Sequence, residues 1–334
     1  MGIVTTPSEP EFWMDGWRAT DLLEISSDPL SLEEPGFWAV QVNFEGEITL
    51  ARFGSVRRSE HRSQDFYPVE SDWESSFTQS QFLKYVEEIR SLIAQGEVYQ
   101  VNACRILSAP FSGEMAGLFG RLLLGNPAKH AAFLSLPGLE IASASPELFL
   151  HIEETGGTRR VLSSPIKGTS ASTIFAQKDS AENIMIVDLI RNDLGRICLP
   201  GSIEVPRLLG VEQHPGLYHL VSDVTGTLRE DASWVEIFSS LLPAGSISGA
   251  PKSSALQVIQ SHEGIRGPYC GVLGYVYQGT AVLSVAIRTF WRANDEILKF
   301  GTGAGITWGS DPEQEWEETE LKARRLMSIA KGVI

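Results

Sequence analysis

Apolar positions in the first third of the chain change from a strand-like to a helix-like spacing near residue 76. Residues 1–75 mix short apolar runs, at 37–42 and 48–53, with charged and serine-rich connections, which predicts strands and loops. Beyond them, apolar side chains recur three and four positions apart, at Phe82, Tyr85, Val86, Ile89, Leu92 and Ile93. This spacing predicts an amphipathic helix over residues 76–96, ended by Gly96.

The rest of the chain is predicted to combine many short strands with several long helices. The predicted strands cover residues 98–107, 131–136, 140–144, 148–152, 161–166, 271–277, 281–290 and 297–302, and the predicted helices cover 181–194, 233–242, 252–261 and 312–330. Turn residues join neighbouring strands closely, as expected for antiparallel pairs. The pattern therefore predicts an α+β protein, and by itself indicates no function.

Composition and charge exclude several classes of protein. The chain has 334 residues, of which 43% are apolar, enough for a sizeable core. Its net charge of −15 argues against a nucleic-acid partner, whose phosphates favour a basic face. No apolar run reaches the length of a membrane span, and the N-terminus lacks a signal pattern, so we expect no membrane partner and a cytoplasmic location. The three cysteines are scattered, without zinc or disulfide spacing.

Two acidic pairs are candidates for a cation site. Asp179 and Glu182 lie three residues apart, as do Glu315 and Glu318, with Lys322 one turn further on. Residues at this spacing share a helix face, so two such faces brought together would form an oxygen-rich site that suits Mg²⁺. The alternative is a pair of acid-rich helix starts favoured by the helix dipole.

Three further features could carry chemistry. Lys167 lies in a short turn bounded by proline and glycine, Glu147 follows an apolar strand, and glycine-rich turns cover residues 243–252 and 301–306. The turns could bring backbone N–H groups close to an anion, although neither has the spacing of a phosphate-binding loop. A solvated lysine, a solvated glutamate and ordinary tight turns are the alternatives.

Nine segments taken together extend over about 230 residues. They are Gly-Glu-Val-Tyr-Gln-Val-Asn at 96–102, Ser-Pro-Glu at 145–147, Pro-Ile-Lys-Gly-Thr at 165–169, and residues 181–196, 219–222, 249–252, 286–289, 303–306 and 311–322. In this order they resemble the chorismate-utilising enzymes, the family of anthranilate, aminodeoxychorismate, isochorismate and salicylate synthases. The resemblance implies a chorismate-binding fold of two packed, largely antiparallel β-sheets flanked by helices. It also implies a catalytic domain over residues 76–334, with a reduced N-terminal lobe over 1–75.

The resemblance implies a role for each candidate residue. Glu182 and Glu318 would bind Mg²⁺, with Asp179 and Glu315 holding metal-bound water, and the metal would neutralise the ring carboxylate of chorismate. Glu147 would be the general acid that protonates the departing C4 hydroxyl. The substrate-binding positions would be Gln100, Gly168, Thr169, His219, Tyr269, Arg288, Gly303, Ala304, Gly305 and Lys322, with Tyr269 and Arg288 on the enolpyruvyl carboxylate.

Two positions distinguish members of this family. Members that add water carry a lysine where this chain has Gln100, so the glutamine implies ammonia as the nucleophile. Aminodeoxychorismate synthases share Pro-Ile-Lys-Gly-Thr, whereas anthranilate synthases have alanine at the position of Lys167. In the former the lysine attacks C2 and expels the C4 hydroxyl, and ammonia then attacks C4 and releases the lysine. The implied product is 4-amino-4-deoxychorismate, which serves either para-aminobenzoate and folate synthesis or specialised metabolism as an antibiotic precursor.

The chain also departs from the family pattern. The usual Pro-Arg after Gly-Thr is replaced by Ser-Ala-Ser at 170–172, so that arginine is missing. No fused glutaminase domain is expected, so ammonia would come from solution or from a separate glutamine amidotransferase subunit. Anthranilate synthase component I and a non-catalytic chorismate-binding relative remain the alternatives.

Overall fold

The computed structural model describes residues 9–61, 64–170, 172–175, 177–214 and 217–333. Its strands are Glu11–Met14 (β1), Trp17–Ser26 (β2), Phe37–Val42 (β3), Ile48–Arg58 (β4), Glu74–Ser75 (β5), Gln100–Pro110 (β6), His130–Leu136 (β7), Leu139–Ser145 (β8), Leu148–Thr155 (β9), Thr158–Ser164 (β10), Ile166–Ser170 (β11), Glu204–His214 (β12), Leu217–Thr227 (β13), Gly249–Ala250 (β14), Val272–Tyr277 (β15), Thr280–Val285 (β16), Thr289–Ala293 (β17) and Ile297–Ile306 (β18). Its helices are Gln79–Ala94 (α1), Met115–Gly125 (α2), Gln177–Gly195 (α3), Trp234–Leu241 (α4), Gly245–Ser248 (α5), Lys252–His262 (α6) and Pro312–Ala330 (α7).

Antiparallel pairing joins these strands into one continuous sheet with two halves. The first half-sheet runs β1, β7, β8, β17, β18 and β6, with β5 and β14 beside β6. The second half-sheet runs β2, β4, β3, β15, β16, β9, β10 and β13, with β11 and β12 beside β13. The β1–β2 hairpin connects them through Asp15 and Gly16, whose positive φ angles of 52° and 74° suit a two-residue hairpin turn.

Apolar side chains cover both faces of the first half-sheet. On β7, Ala132 and Leu134 point to a core shared with the second half-sheet, where Phe12 lies 5.7 Å from Phe37 between ring centroids. The alternate residue Phe133 belongs to a second core beneath α2 and α7. Because side chains alternate along a strand, one sheet layer separates the two cores. The predicted α+β fold with packed antiparallel sheets and flanking helices is thus confirmed, with the two sheets joined as one.

Helices α1 and α7 and most strands lie where the apolar spacing predicted them. Helix α2 escaped prediction because its sequence, Met-Ala-Gly-Leu-Phe-Gly-Arg-Leu-Leu-Leu-Gly, is apolar on nearly every side. Strand β12 also escaped prediction, since none of its described side chains is buried and its sequence does not alternate between apolar and polar residues. Both elements are defined by how the folded chain packs and not by a pattern in their sequences.

The strand predicted over residues 281–290 is wrong in one respect. It divides into β16 and β17, and Arg288, between them, has a positive φ of 52°. This left-handed residue interrupts the strand pairing at the edge of the sheet, near Glu147, the glutamate that follows β8. Among the described helices, none is long and apolar enough to cross a membrane.

Candidate active site

The predicted site residues come from elements that meet at one end of the first half-sheet. Strands β6 and β18 pair there, so that Asn102 lies opposite Gly305 and Cys104 opposite Gly303. Gln100 lies at the start of β6, and Gly249 of β14 packs against its carbonyl so closely that a Cβ would overlap it. The glycine is required for that approach, and it fixes the position of Gln100.

Lys167, Glu182 and Gln100 form the centre of the site. The Lys167 ammonium lies 3.0 Å from Glu182 Oε1, and Gln100 Nε2 donates a hydrogen bond of 2.5 Å to the same oxygen. Burial disfavours the charged carboxylate, but the lysine charge and these hydrogen bonds outweigh burial and lower the pKa of Glu182. Gln100 Oε1 is buried and accepts no hydrogen bond from the described residues. An unsatisfied buried acceptor at this position suits a ligand that donates hydrogen bonds.

The acidic faces of α3 and α7 converge on Lys322. Lys322 lies 2.6 Å from Glu318, donates a hydrogen bond of 3.0 Å to the Gly303 carbonyl, and also interacts electrostatically with Glu182 and Glu315. Burial alone would lower the pKa of Lys322, but the carboxylates raise it. Burial likewise opposes ionisation of Glu318, whose pKa is nevertheless lowered by the charge of Lys322.

The two remaining predicted acids, Glu315 and Asp179, have different partners. Glu315 is buried, and its carboxylate lies 3.1 Å from the ammonium of Lys178. Asp179, in the first turn of α3, packs against the backbone of Gly168, where an added Cβ would lie 2.9 Å from Asp179 Cβ. Gly168 also has a φ of +85°, which favours glycine. Among the described residues, no three histidine, cysteine or acidic side chains are arranged to hold a metal ion without rearrangement.

Glu147 is a buried acid between two cations. Burial raises its pKa to about 6, although a hydrogen bond from Ser246, the charge of Lys167, the backbone of Ile166 and the charge of Arg288 all lower it. Burial also lowers the pKa of Arg288, which the charge of Glu147 opposes. A carboxyl whose pKa is near the working pH can exchange a proton readily, so Glu147 has the property of a general acid.

The remaining predicted residues line one side of the site. Arg288 Nη2 lies 3.3 Å from Nε2 of the buried His219. The Tyr269 ring covers the backbone of Gly301, and its hydroxyl lies 3.9 Å from Cys104 Sγ. The described hydrogen bonds of Tyr269 do not link it to Arg288, with which it was predicted to share a carboxylate. The methyl group of Ala304 is fully buried, so only its backbone could face a ligand. The side chain of Thr169, like Ala171, lies outside the described part of the chain.

Two residues with supporting roles were not predicted. Ser246 lies in the glycine-rich segment at 243–252, where it forms a hydrogen bond with the carboxyl of Glu147. Asn183 is fully buried; it accepts a 2.5 Å hydrogen bond from Ser222 and donates one to the Leu220 carbonyl, which fastens α3 to β13. Asn183 lies inside a segment that carries the family resemblance and Ser246 lies just before one, but a polar residue next to a glutamate or a helix start gives no sign of its partner.

Gly305 provides a test of the site geometry. A Cβ at this position would lie 2.5 Å from Gln100 Nε2 and 2.8 Å from Glu182 Oε1. We expect Gly305→Ala to displace both groups and to reduce kcat/KM for the site's substrate by roughly 100-fold or more, as catalytic misplacements of about 1 Å do. Gly309→Ala is the matched control, because a Cβ there meets nothing within 4 Å. Equal activity of the two variants in steady-state kinetics would contradict the described geometry.

Comparison with known proteins identifies relatives of this chain. A family model described as chorismate binding enzyme matches residues 40–328. Aminodeoxychorismate synthase component 1 of Escherichia coli is 34% identical over 339 aligned residues, covering 93% of this chain and 74% of that protein. Anthranilate synthase component 1 of Aquifex aeolicus is 36% identical over 276 residues, covering 78% of this chain and 55% of that protein. The chain thus spans only about half the length of some relatives.

Solved structures share the fold at lower identity. Anthranilate synthase component I of Streptococcus pneumoniae superimposes with a TM-score of 0.77 at 24% identity, covering 97% of this chain and 91% of that one. The menaquinone-specific isochorismate synthase MenF of Escherichia coli has a TM-score of 0.79 at 16% identity, with 98% and 90% covered. The matched family model, the relatives and the convergence of Lys167, Glu182 and Glu318 lead to one conclusion: this chain belongs to the chorismate binding enzymes.

Proposed function

We propose that this protein converts chorismate and ammonia to 4-amino-4-deoxychorismate, as an aminodeoxychorismate synthase component that acts with a glutamine amidotransferase subunit. The observation that carries the proposal is the position of Lys167, whose ammonium lies at the centre of the site, 3.0 Å from Glu182. A lysine with 12% of its side chain exposed and held against an acidic helix is not a solvated turn residue. It is placed to react with a bound ring.

The chemical steps use three groups of this chain. Lys167, as the free amine, forms a bond to C2 while the C4–O bond breaks, and Glu147 gives its proton to the departing hydroxyl, which leaves as water. Ammonia then forms a bond to C4, the C2–N bond breaks, and the electron pair returns to Lys167. The ammonia nitrogen loses one proton, so the sum is chorismate and ammonia to amino product and water. Arg288, next to Glu147, is positioned to hold a substrate carboxylate.

The acidic residues fit a bound Mg²⁺ in their chemistry. Glu182 and Glu318 supply carboxylate oxygens, and Mg²⁺ binds through one or two carboxylates and completes its coordination with water and substrate oxygens. When bound, the metal would neutralise the substrate's ring carboxylate, which a protein of net charge −15 otherwise repels. The lysines that now pair with both glutamates, Lys167 and Lys322, would then be free to face the substrate.

Gln100 supports ammonia as the second substrate. Its buried amide oxygen has no hydrogen-bond donor among the described residues, and its orientation is fixed because Nε2 donates to Glu182. Ammonia is a hydrogen-bond donor of suitable size for this position, and a glutamine cannot act as the base that would activate water. We infer a cytoplasmic enzyme that supplies para-aminobenzoate for folate synthesis, with ammonia from its partner subunit.

The product distinguishes this function from its nearest alternative. The purified protein would be incubated with chorismate, MgCl₂ and ammonium chloride, and the products separated by liquid chromatography with mass detection. We expect 4-amino-4-deoxychorismate, no fluorescence from anthranilate, and no turnover after removal of Mg²⁺ with EDTA. Formation of anthranilate would instead assign the chain to the anthranilate synthase reaction, for which its Aquifex relative is named. Absence of any chorismate turnover, with or without a glutaminase subunit, would indicate a binding protein.

A further inference from the structure

A small cavity adjoins Glu147 and reaches the C-terminal end of helix α3. About 20 Å³ of it is open to the centre of a water molecule, and one water needs roughly 10–15 Å³ by the same measure. Its polar lining residues are Glu147, Ser163, Asp193 and Ser246, among apolar side chains such as Leu241. The cavity therefore has the volume and the hydrogen-bonding groups for an ordered water between two carboxyl groups, those of Glu147 and Asp193.

Asp193 connects this cavity to the surface of α6. It is buried, with 9% of its side chain exposed, and its Oδ2 lies 2.7 Å from the ammonium of Lys252, whose side chain is 22% exposed. Lys252 is the second half of a Pro-Lys pair at the start of α6, and neither it nor Asp193 takes part in the steps described above. A buried carboxylate is costly unless it is paired, and Asp193, which lines a mostly apolar cavity, is paired with a partly solvated lysine.

We propose that Asp193, held by Lys252, and a water in this cavity return to Glu147 the proton that it donates in each turnover. The inference rests on the proposed function, in which Glu147 is the general acid. Asp193 first takes a proton from solvent near Lys252. The Asp193 carboxyl group then gives a proton to the cavity water, while that water gives one of its own to the Glu147 carboxylate. The ammonia nitrogen that bonds to C4 releases one proton to solvent. Each turnover therefore takes up one proton and releases one.

The surroundings of Glu147 favour this route. On its other sides Glu147 faces the cations Lys167 and Arg288, and Arg288 in turn contacts His219. A bound substrate would occupy that side of the carboxyl and close it to solvent. The cavity side instead offers the negative charge of Asp193 and the hydroxyl groups of Ser163 and Ser246, which can accept and donate hydrogen bonds.

Chemical rescue tests the relay. Asp193→Asn keeps the size of the side chain but removes its proton exchange, and we expect kcat at pH 7.5 to fall roughly 10- to 100-fold, within the range of general acid–base contributions. KM for chorismate should stay within about twofold of the wild-type value. Imidazole, a small diffusible proton donor, should restore kcat in a saturable way. The double variant Asp193→Asn, Lys252→Met should behave in the same way, which excludes an effect of an unpaired lysine.

The matched control lies on the same helix. Asp188 is 63% exposed and pairs with Arg191, so Asp188→Asn makes the same change away from the cavity and should leave kcat unaltered. A role of Asp193 only in holding α3 to α6 would lower the melting temperature and leave kcat insensitive to imidazole. That result, or an Asp193→Asn variant with kcat within twofold of wild type, would overturn the relay. The product of the wild-type enzyme is identified in the same experiments. A product other than 4-amino-4-deoxychorismate would refute the proposed function. The relay is judged separately, by whether imidazole restores the consumption of chorismate.

Discussion

Lys167→Ala should reduce the rate of 4-amino-4-deoxychorismate formation by at least about 10³-fold, since loss of an activated nucleophile costs on the order of 10⁶ in well-studied covalent enzymes. The physical reason is that no other described ammonium contacts Glu182 at hydrogen-bonding distance, so C2 would lose its only positioned amine. Chorismate affinity should change little, because the binding contacts of Arg288 and His219 are untouched. Rapid-quench product analysis and calorimetric titration with chorismate measure the two effects separately.

Lys178→Ala provides the comparison. Lys178 is another lysine at the acidic cluster, paired with Glu315 and 43% exposed, but it is not placed against Glu182. We expect a loss of less than about tenfold, within the range of a partly exposed ion pair. Equal losses in both variants would mean that the cluster needs positive charge in general, and turnover of Lys167→Ala at the wild-type rate would exclude a covalent role for Lys167. Trapping a mass increase on Lys167, absent from the alanine variant, would identify the adduct directly.

Glu147→Gln should lower kcat/KM by roughly 10²- to 10⁴-fold, the usual contribution of a general acid. In the wild type the acid form is the active one, and its pKa is about 6. At constant free ammonia, the ratio of the wild-type rate to the rate of the glutamine variant should therefore fall about tenfold per pH unit above pH 6, because both proteins share the requirement for the free amine of Lys167. Total ammonium must be adjusted at each pH, because the ammonia concentration otherwise rises with pH and conceals the effect.

The same substitution should stabilise the folded protein at high pH. The pKa of Glu147 is higher in the folded state than the usual 4.5, so the folded state holds its proton more tightly. The stability that this proton contributes to the folded state is fully present below about pH 4.5 and is lost as pH rises through 6. The buried charge that remains costs about 2 kcal/mol of folding free energy. Relative to wild type, Glu147→Gln should gain about 1 kcal/mol in the free energy of unfolding between pH 5 and pH 8, measured by urea denaturation, because part of the change has already occurred at pH 5. A variant that is inactive and also less stable at pH 8 would show damage to the fold instead.

The elements that the sequence predicted well are those with one solvated face. Helices α1 and α7 have apolar side chains at helical spacing because each packs on the sheet with one side and meets water with the other. Helix α2 is buried between β8, β7 and α7, so its sequence carries no such contrast. The break between β16 and β17 was invisible for another reason: alanine, isoleucine and arginine at 286–288 all favour an extended strand or tolerate it, and only the neighbouring strands decide that pairing stops there.

The sequence by itself determined the family of this protein and the residue types of its site, since Lys167, Glu147 and the acidic pairs of α3 and α7 lie in segments whose order is specific. It could not determine how these groups pair, because a pairing depends on the distance between atoms that are far apart along the chain. Only the tertiary structure placed Lys167 and Gln100 on one oxygen of Glu182, brought Glu182 and Glu318 to Lys322, and buried Glu147. Burial and neighbouring charge set a carboxyl group's pKa, and both are created by folding.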